Sequence, residues 1–144
     1  MAGRVIGVAV DGSNQSQNAL NWCIDNLYRA GDSIIIIHVF EFNLSVGVMP
    51  DVDAISKSVK EQEEKVSTLT GLLTETLKTK AIPGKVVRGN GKPGETIISV
   101  AQRERVSSLV IGSRGLGSFK RTILGSVSDF VLHHANFPVT VVPS

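Results

Sequence analysis

The sequence is short of cysteine, aromatic residues and net charge, and each shortage removes a class of protein. Cys23 is its single cysteine, which excludes an intrachain disulfide and any zinc site built from several thiolates. Aromatic residues make up 5% of the 144 positions, too few for a surface of base-stacking platforms. Fifteen Lys and Arg against 13 Asp and Glu leave a net charge of +2, which by itself does not point to nucleic acid. The longest apolar runs, such as Ile34–Ile37, fall far short of the ~20 residues of a membrane span. Gly7, Asp11 and Gly12 interrupt the apolar N-terminus early, so it does not read as a secretory signal. What remains, 42% hydrophobic and 19% charged, is the composition of an ordinary globular chain. The expectation is one domain over residues 1–144, cytoplasmic, with no nucleic-acid and no membrane partner.

The charge is unevenly placed: −2 over residues 1–50, −1 over 51–80 and +5 over 81–144. The basic third also holds most of the Gly/Ser-rich sequence, a coincidence that points to an anion as ligand.

Strand and helix patterns alternate along the chain. Val5–Val10 is an almost unbroken apolar run, as in a strand buried on both faces of a parallel sheet. Leu20, Cys23, Ile24 and Leu27 recur at helical spacing, ending near Ala30-Gly31. Ser33–Phe40 reads as a second strand, followed by a long connection, 41–53. A long helix is predicted over about 54–80, with Val66, Leu69, Leu72, Leu73 and Leu77 facing inward and Pro83-Gly84 stopping it. A short strand at Lys85–Arg88, a helix from Pro93, a strand at Ser107–Ile111 and a helix carrying Ile123, Leu124, Val127, Phe130, Val131 and His134 follow. A last strand occupies Phe137–Val142. Five strands separated by helices predict an α/β fold: a doubly wound five-stranded parallel sheet with helices on both faces. In such folds ligands bind beyond the carboxyl ends of the strands, where the strand order reverses. Asp11, Glu41, Gly89 and Gly112 stand at those ends.

Two glycine motifs compete for attention. Gly89-Asn-Gly91-Lys-Pro-Gly94 matches G-x-G-x-x-G, but it follows the third strand and lacks the acidic residue about 20 positions on that would hold a ribose. The overlapping Walker-type frame has Glu95 where a lysine is needed, and a carboxylate repels polyphosphate. A tight turn with Pro93 opening a helix explains this stretch better. The second motif is Gly112-Ser-Arg-Gly115, nine residues, then Gly125-Ser126, at the head of the last helix. It reads either as a phosphate cradle, with helix N-terminal amides and the hydroxyls of Ser126 and Ser128 as donors, or as a glycine-rich surface loop. Asp11 is placed either to accept from a ribose hydroxyl or adenine amine, or to cap the first helix, roles that do not exclude each other.

Taken together, Val8-Ala-Val-Asp-Gly-Ser13, His38-Val39, Gly91-Lys-Pro-Gly-Glu-Thr-Ile97, Leu109-Val-Ile-Gly-Ser-Arg-Gly115, Gly125-Ser-Val-Ser128 and Pro138-Val139 resemble the nucleotide-binding branch of the universal stress protein family. Gly112, Gly115, Gly125 and Ser126 fill that family's G-x2-G-x9-G-[S/T] motif without a gap. The resemblance spans essentially the whole chain and implies strand order 3-2-1-4-5, ATP or AMP between strands 1 and 4, and a homodimer through the strand 137–142 edge. It implies that Asp11 and, through its backbone, Val39 contact the adenosine end, with Ala9 under the base and Ile111 in the apolar floor. It assigns Gly112, Arg114 and Gly115 to the ribose and α-phosphate, and Gly125, Ser126, Val127 and Ser128 to the outer phosphates.

The residues supply no catalytic constellation and no protein-borne metal site. Cys23 lies on a buried helical stripe, His38 ends a strand, and His133 and His134 close a helix whose dipole they complement. Mg²⁺ or Mn²⁺ is expected to be held mainly through the phosphates, with a serine hydroxyl or Asp11 as the protein's contribution. A dimeric nucleotide-dependent stress-response module is the leading reading. The alternative is a slow ATPase or self-phosphorylating protein, with Ser113, Ser118 or Ser126 as acceptor.

Overall fold

The apolar runs become the centre of one sheet. The structure, a computed structural model, describes residues 3–40, 52–113 and 125–143. Five parallel strands, β1 (Val5–Val10), β2 (Ser33–Phe40), β3 (Gly84–Asn90), β4 (Ser108–Gly112) and β5 (Val139–Val142), lie in the order β3-β2-β1-β4-β5. The strand order implied by the resemblance is the one observed. The innermost strands, β1 and β2, are buried almost throughout, because helices cover both faces and leave no polar side.

The helices are α1 (Asn14–Trp22), α2 (Val52–Thr79), α3 (Pro93–Arg103) and α4 (Ser126–His134). Ile6, Val8, Ile34 and Ile36 pack with Leu20, Cys23, Leu73 and Leu77, so α1 and α2 share one face. The alternate residues Ala9, Ile35, Ile37 and Ile111 pack with Ile97, Ala101 and Val131, so α3 and α4 share the other. This two-residue alternation sends successive side chains of each strand into different cores.

Several sequence expectations are refined. The first helix is not α-helical to its end: Cys23–Leu27 winds as a π-helix, closed by the Tyr28 N–H on the Cys23 carbonyl at 2.8 Å. The long helix starts at Val52, so residues 52 and 53 belong to α2 and not to the connection, whose residues 41–51 lie outside the described set. Leu72, expected inside, is 62% exposed; the buried stripe runs through Val66, Leu73 and Leu77, and Leu72 is one helical step of about 100° off it. β3 is longer than expected, and β5 begins two residues later, at Val139. Ile123 and Leu124, assigned to the last helix from sequence, lie outside the described residues.

Gly94 gives the G-x-G-x-x-G stretch a packing role. A Cβ there would come within 2.5 Å of the Phe130 ring, so Gly94 lets α3 and α4 pack closely. Pro93 opens α3 and Glu95 lies in its first turn, where a carboxylate favours the helix dipole.

At the end of the sheet where β1 and β2 begin, Asp32 clasps β1. Its carboxylate accepts from Arg4 Nη2 at 2.6 Å and from the backbone N–H groups of Arg4 and Arg29 at 3.0 Å each. These donors, the Arg4 side chain foremost, pull its pKa from 3.8 down to about 2. Cys23 is fully buried, and that burial pushes its thiol up to about 11, which makes it packing and not a nucleophile.

Candidate functional site

The strand order reverses between β1 and β4, and the carboxyl ends of the two strands diverge there around a cavity of about 410 Å³. That volume lies within the ~300–1,000 Å³ usual for small-molecule sites. Its walls come from six elements, β1, α1, β2, α3, β4 and α4.

The first wall follows β1. Asp11 Oδ1 accepts the Ser13 N–H at 2.9 Å, and the Asp11 N–H donates to Ser16 Oγ at 3.2 Å. Ser16 Oγ donates in turn to the Ser13 carbonyl at 2.9 Å, and Ser13 Oγ accepts the Ser16 N–H at 3.2 Å. Ser13 is therefore the N-cap of α1, a role that was one of two open to Asp11 from the sequence; Asp11 instead braces the turn one step earlier. This cross-bonded turn fixes an exposed carboxylate at the cavity, where Asp11, Ser13, Gln15 and Ser16 all line it.

The second wall follows β4. Gly112 lines the cavity, and a Cβ there would stand 3.1 Å from the Gln15 carbonyl oxygen, so the glycine allows β4 and α1 to approach. The Ser113 N–H donates to the Val142 carbonyl and the Gly125 N–H to the Ser113 carbonyl, each at 2.9 Å. This pair of bonds sets the head of α4 beside Gly112. In α4 the first intrahelical acceptor is the Gly125 carbonyl, taken by the Asp129 N–H at 2.9 Å. The amides of Ser126, Val127 and Ser128 precede it and have no acceptor inside the helix. Ser128 is 1% exposed, and its hydroxyl donates to the Gly125 carbonyl at 3.0 Å.

Between these walls the floor is apolar: Ala9, Ile37, Val39 and Ile111 from the strands, Ile97 from α3 and Val127 from α4. Phe40, at the end of β2, and Pro93, at the start of α3, complete the rim. An apolar slot lined by a carboxylate and by the first turn of a helix, whose leading amides have no acceptor inside it, fits a molecule with a flat apolar part, hydroxyls and an anionic tail.

Of the residues singled out from sequence, Ala9, Asp11, Val39, Ile111, Gly112, Val127 and Ser128 line this cavity. Gly125 and Ser126 stand at the head of α4 but are not among the lining residues, and Ser126 is exposed. Arg114 and Gly115 lie outside the described residues, as does Ser118. Val10, Ser13, Gln15, Ser16, Ile37, Phe40, Pro93 and Ile97 line the cavity and were not assigned to it from sequence. For Ser13 the available signal was its place directly after a strand end; for Pro93 and Ile97 there was none short of the sheet order.

His38 is buried on the α1–α2 side. Its Nδ1–H donates to the Val10 carbonyl at 2.9 Å, while Nε2 has no partner among the described residues. Also among the described residues, no group of three or more His, Cys, Asp or Glu side chains is placed to hold a metal ion. Nor is any described helix long and apolar enough to cross a membrane.

These features define a doubly wound α/β protein with a ligand cleft at its switch point. The chain belongs to the universal stress protein family, whose model matches residues 3–143. It is 34% identical over 161 aligned residues to universal stress protein PHOS34 of Arabidopsis thaliana, an alignment covering 98% of this chain. The chain spans only 62% of the length of PHOS34. It is 28% identical to universal stress protein YxiE of Bacillus subtilis, covering 94% of this chain and 95% of YxiE. Among solved structures, MJ0577 of Methanocaldococcus jannaschii superposes with a TM-score of 0.81 at 22% identity, covering 100% and 98% of the two chains. A universal stress protein family protein of Arabidopsis thaliana with AMP bound gives 0.72 at 22% identity, covering 97% and 91%. A universal stress protein in complex with cAMP gives 0.70 at 19% identity, covering 99% and 98%. At these identities the superpositions establish the fold.

Proposed function

We propose that the chain binds an adenine nucleotide, AMP or ATP, in the switch-point cavity and acts as a nucleotide-dependent module. One observation carries the reading: a single cavity is lined by Asp11, by Val127 and Ser128 in the first turn of α4, and by an apolar floor. The adenosine end lies on Ala9, Val39 and Ile111, with Asp11 accepting from a ribose hydroxyl. The phosphates meet Gly112, the amides of Val127 and Ser128 and, further out, Gly125 and Ser126. Arg114 and Gly115 are assigned to the ribose and α-phosphate on the motif alone. Mg²⁺ or Mn²⁺, where present, is held through the phosphates. The AMP and cAMP complexes of structural relatives support the ligand class.

The homodimer is proposed through the β5 edge, where Val139, Thr140 and Val141 are half-buried on the outermost strand. A second β5 would satisfy that open edge. Dimer mass by light scattering at micromolar concentration is the expected result, and a monomer contradicts this part of the reading.

The test of the ligand is direct. Freshly purified protein is denatured and the released small molecules are identified, and emptied protein is then titrated with AMP and ATP. Released or rebinding adenine nucleotide supports the reading. An empty protein that also refuses both nucleotides overturns it.

A further inference from the structure

One peptide group at the edge of the cavity is held by side chains at both of its ends. β1 pairs with β4 only as far as Val8 with Val110, whereas its pairing with β2 runs on to Val10 with His38. Where β1 parts from β4, side chains fasten it. The Val10 carbonyl accepts the His38 Nδ1–H at 2.9 Å. The N–H of the same peptide, that of Asp11, donates to Ser16 Oγ at 3.2 Å. Ser16 Oγ donates onward to the Ser13 carbonyl at 2.9 Å. A single chain of hydrogen bonds thus runs from β2, through the Val10–Asp11 peptide, into the first turn of α1. Both side chains are buried, His38 at 3% and Ser16 at 7% exposure, where hydrogen bonds are stronger than in water and each polarises the next. A carbonyl can only accept, so the His38 ring carries a proton on Nδ1.

We propose that His38 and Ser16 are positioning residues for ligand binding: they fix the plane of the Val10–Asp11 peptide and so aim the Asp11 carboxylate at the hydroxyls of the ligand. The inference rests on the nucleotide reading of the site and deepens it. Val10 and Asp11 line the cavity and His38 does not, so the imidazole acts through the peptide and not by contact. The Ser13 N–H on Asp11 Oδ1 sets the carboxylate relative to α1. The His38 bond sets the peptide that carries it relative to the sheet. The clamp therefore ties β2, which supplies Ile37 and Val39 to the apolar floor, to the carboxylate assigned to the ribose.

The test is a double-mutant cycle on AMP affinity, measured by titration calorimetry under conditions where urea unfolding shows each variant folded. His38→Phe keeps a ring and loses the donor, and Ser16→Ala loses the acceptor. Each is expected to weaken AMP by roughly two- to tenfold, the scale of one hydrogen bond. His38→Asn returns a side-chain N–H near the place of Nδ1 and should recover part of that loss, which a role in packing alone would not allow. In an Asp11→Ala background, His38→Phe and Ser16→Ala should have little further effect. Ser16→Ala carries the same cycle should His38→Phe fail to fold. Imidazole nitrogen-15 shifts of the wild-type protein should show His38 protonated at Nδ1, and a bare Nδ1 overturns the clamp. Losses of equal size with and without the Asp11 carboxylate make the two residues structural only and overturn the inference. So does unchanged affinity in both single variants, or a His38→Asn protein that binds no better than His38→Phe, and each of these leaves nucleotide binding intact. A wild-type protein that binds neither AMP nor ATP overturns the nucleotide reading and this inference with it.

Discussion

Gly112 and the carbonyl of Gln15 meet at the wall of the cavity, with room of only 3.1 Å between that oxygen and the position a Cβ would take. The strand end and the first turn of α1 are thus in contact where the two halves of the sheet part. A valine at 112 would have to push α1 away and would also crowd the cavity that Gly112 lines. Gly112→Val is expected to destabilise the fold by about 1–3 kcal/mol, as overpacking does, and to weaken AMP at least about tenfold. Urea unfolding and calorimetric titration measure the two effects. Undiminished AMP affinity in a folded variant would remove Gly112 from the site.

The turn at Asp11 is held by the Ser13 cap. Ser13→Ala removes the acceptor of the Ser16 N–H and is expected to lower stability by about 1 kcal/mol. The Asp11 carboxylate is braced by the same turn, so AMP affinity should fall as well. Asp11→Asn keeps the cap and should cost affinity with little loss of stability. Denaturant midpoints and AMP titrations on both variants check this, and the reverse pattern would make Asp11 structural only.

Much of this site is visible in the sequence because the glycines and Asp11 each sit at a strand end, and a parallel sheet buried on both faces writes its strands as apolar runs. Val5–Val10 and Ile34–Ile37 needed no tertiary information to be recognised. Phe40, Pro93 and Ile97 were not legible as site residues, since only the order β3-β2-β1-β4-β5 brings the start of α3 over the ends of β1 and β2. The π-helical turn at Cys23–Leu27 was equally hidden. Leu20, Cys23, Ile24 and Leu27 fit an α-helical period, and the longer bond from Tyr28 to Cys23 depends on how the chain turns toward β2. Leu72 misled because leucine suits an inward stripe, whereas the stripe of α2 is decided by Val66, Leu73 and Leu77.

Asp32 makes stability depend on acidity. Its pKa of about 2 in the folded chain lies below its ordinary 3.8, chiefly through the hydrogen bond from Arg4, so the folded state holds fewer protons there than the unfolded state. The stabilisation is therefore complete above about pH 4 and is lost as pH falls from there through about 2. Asp32→Asn should lower the urea midpoint at pH 6, and its gap to wild type should close between pH 4 and 2. A gap that stays constant down to pH 2 would contradict the clasp.

Ser126 is exposed at the first position of α4 and outside the lining residues, whereas Ser128 is buried with its hydroxyl on the Gly125 carbonyl. In the proposed nucleotide site, Ser126 is assigned to the outer phosphates. Ser126→Ala is expected to weaken ATP severalfold, on the scale of one charge-assisted hydrogen bond, and to leave adenosine unchanged. Parallel titrations with the two ligands decide it, and equal losses would place Ser126 away from the phosphates.

The claim that an adenine nucleotide lies between Asp11 and the head of α4 is tested most directly by following backbone amide resonances while AMP is added to emptied protein. Amides of Asp11, Gly112, Val127 and Ser128 should shift together and saturate with a single binding constant. Saturation with those four amides unmoved, or no saturable shift at millimolar AMP, would contradict it.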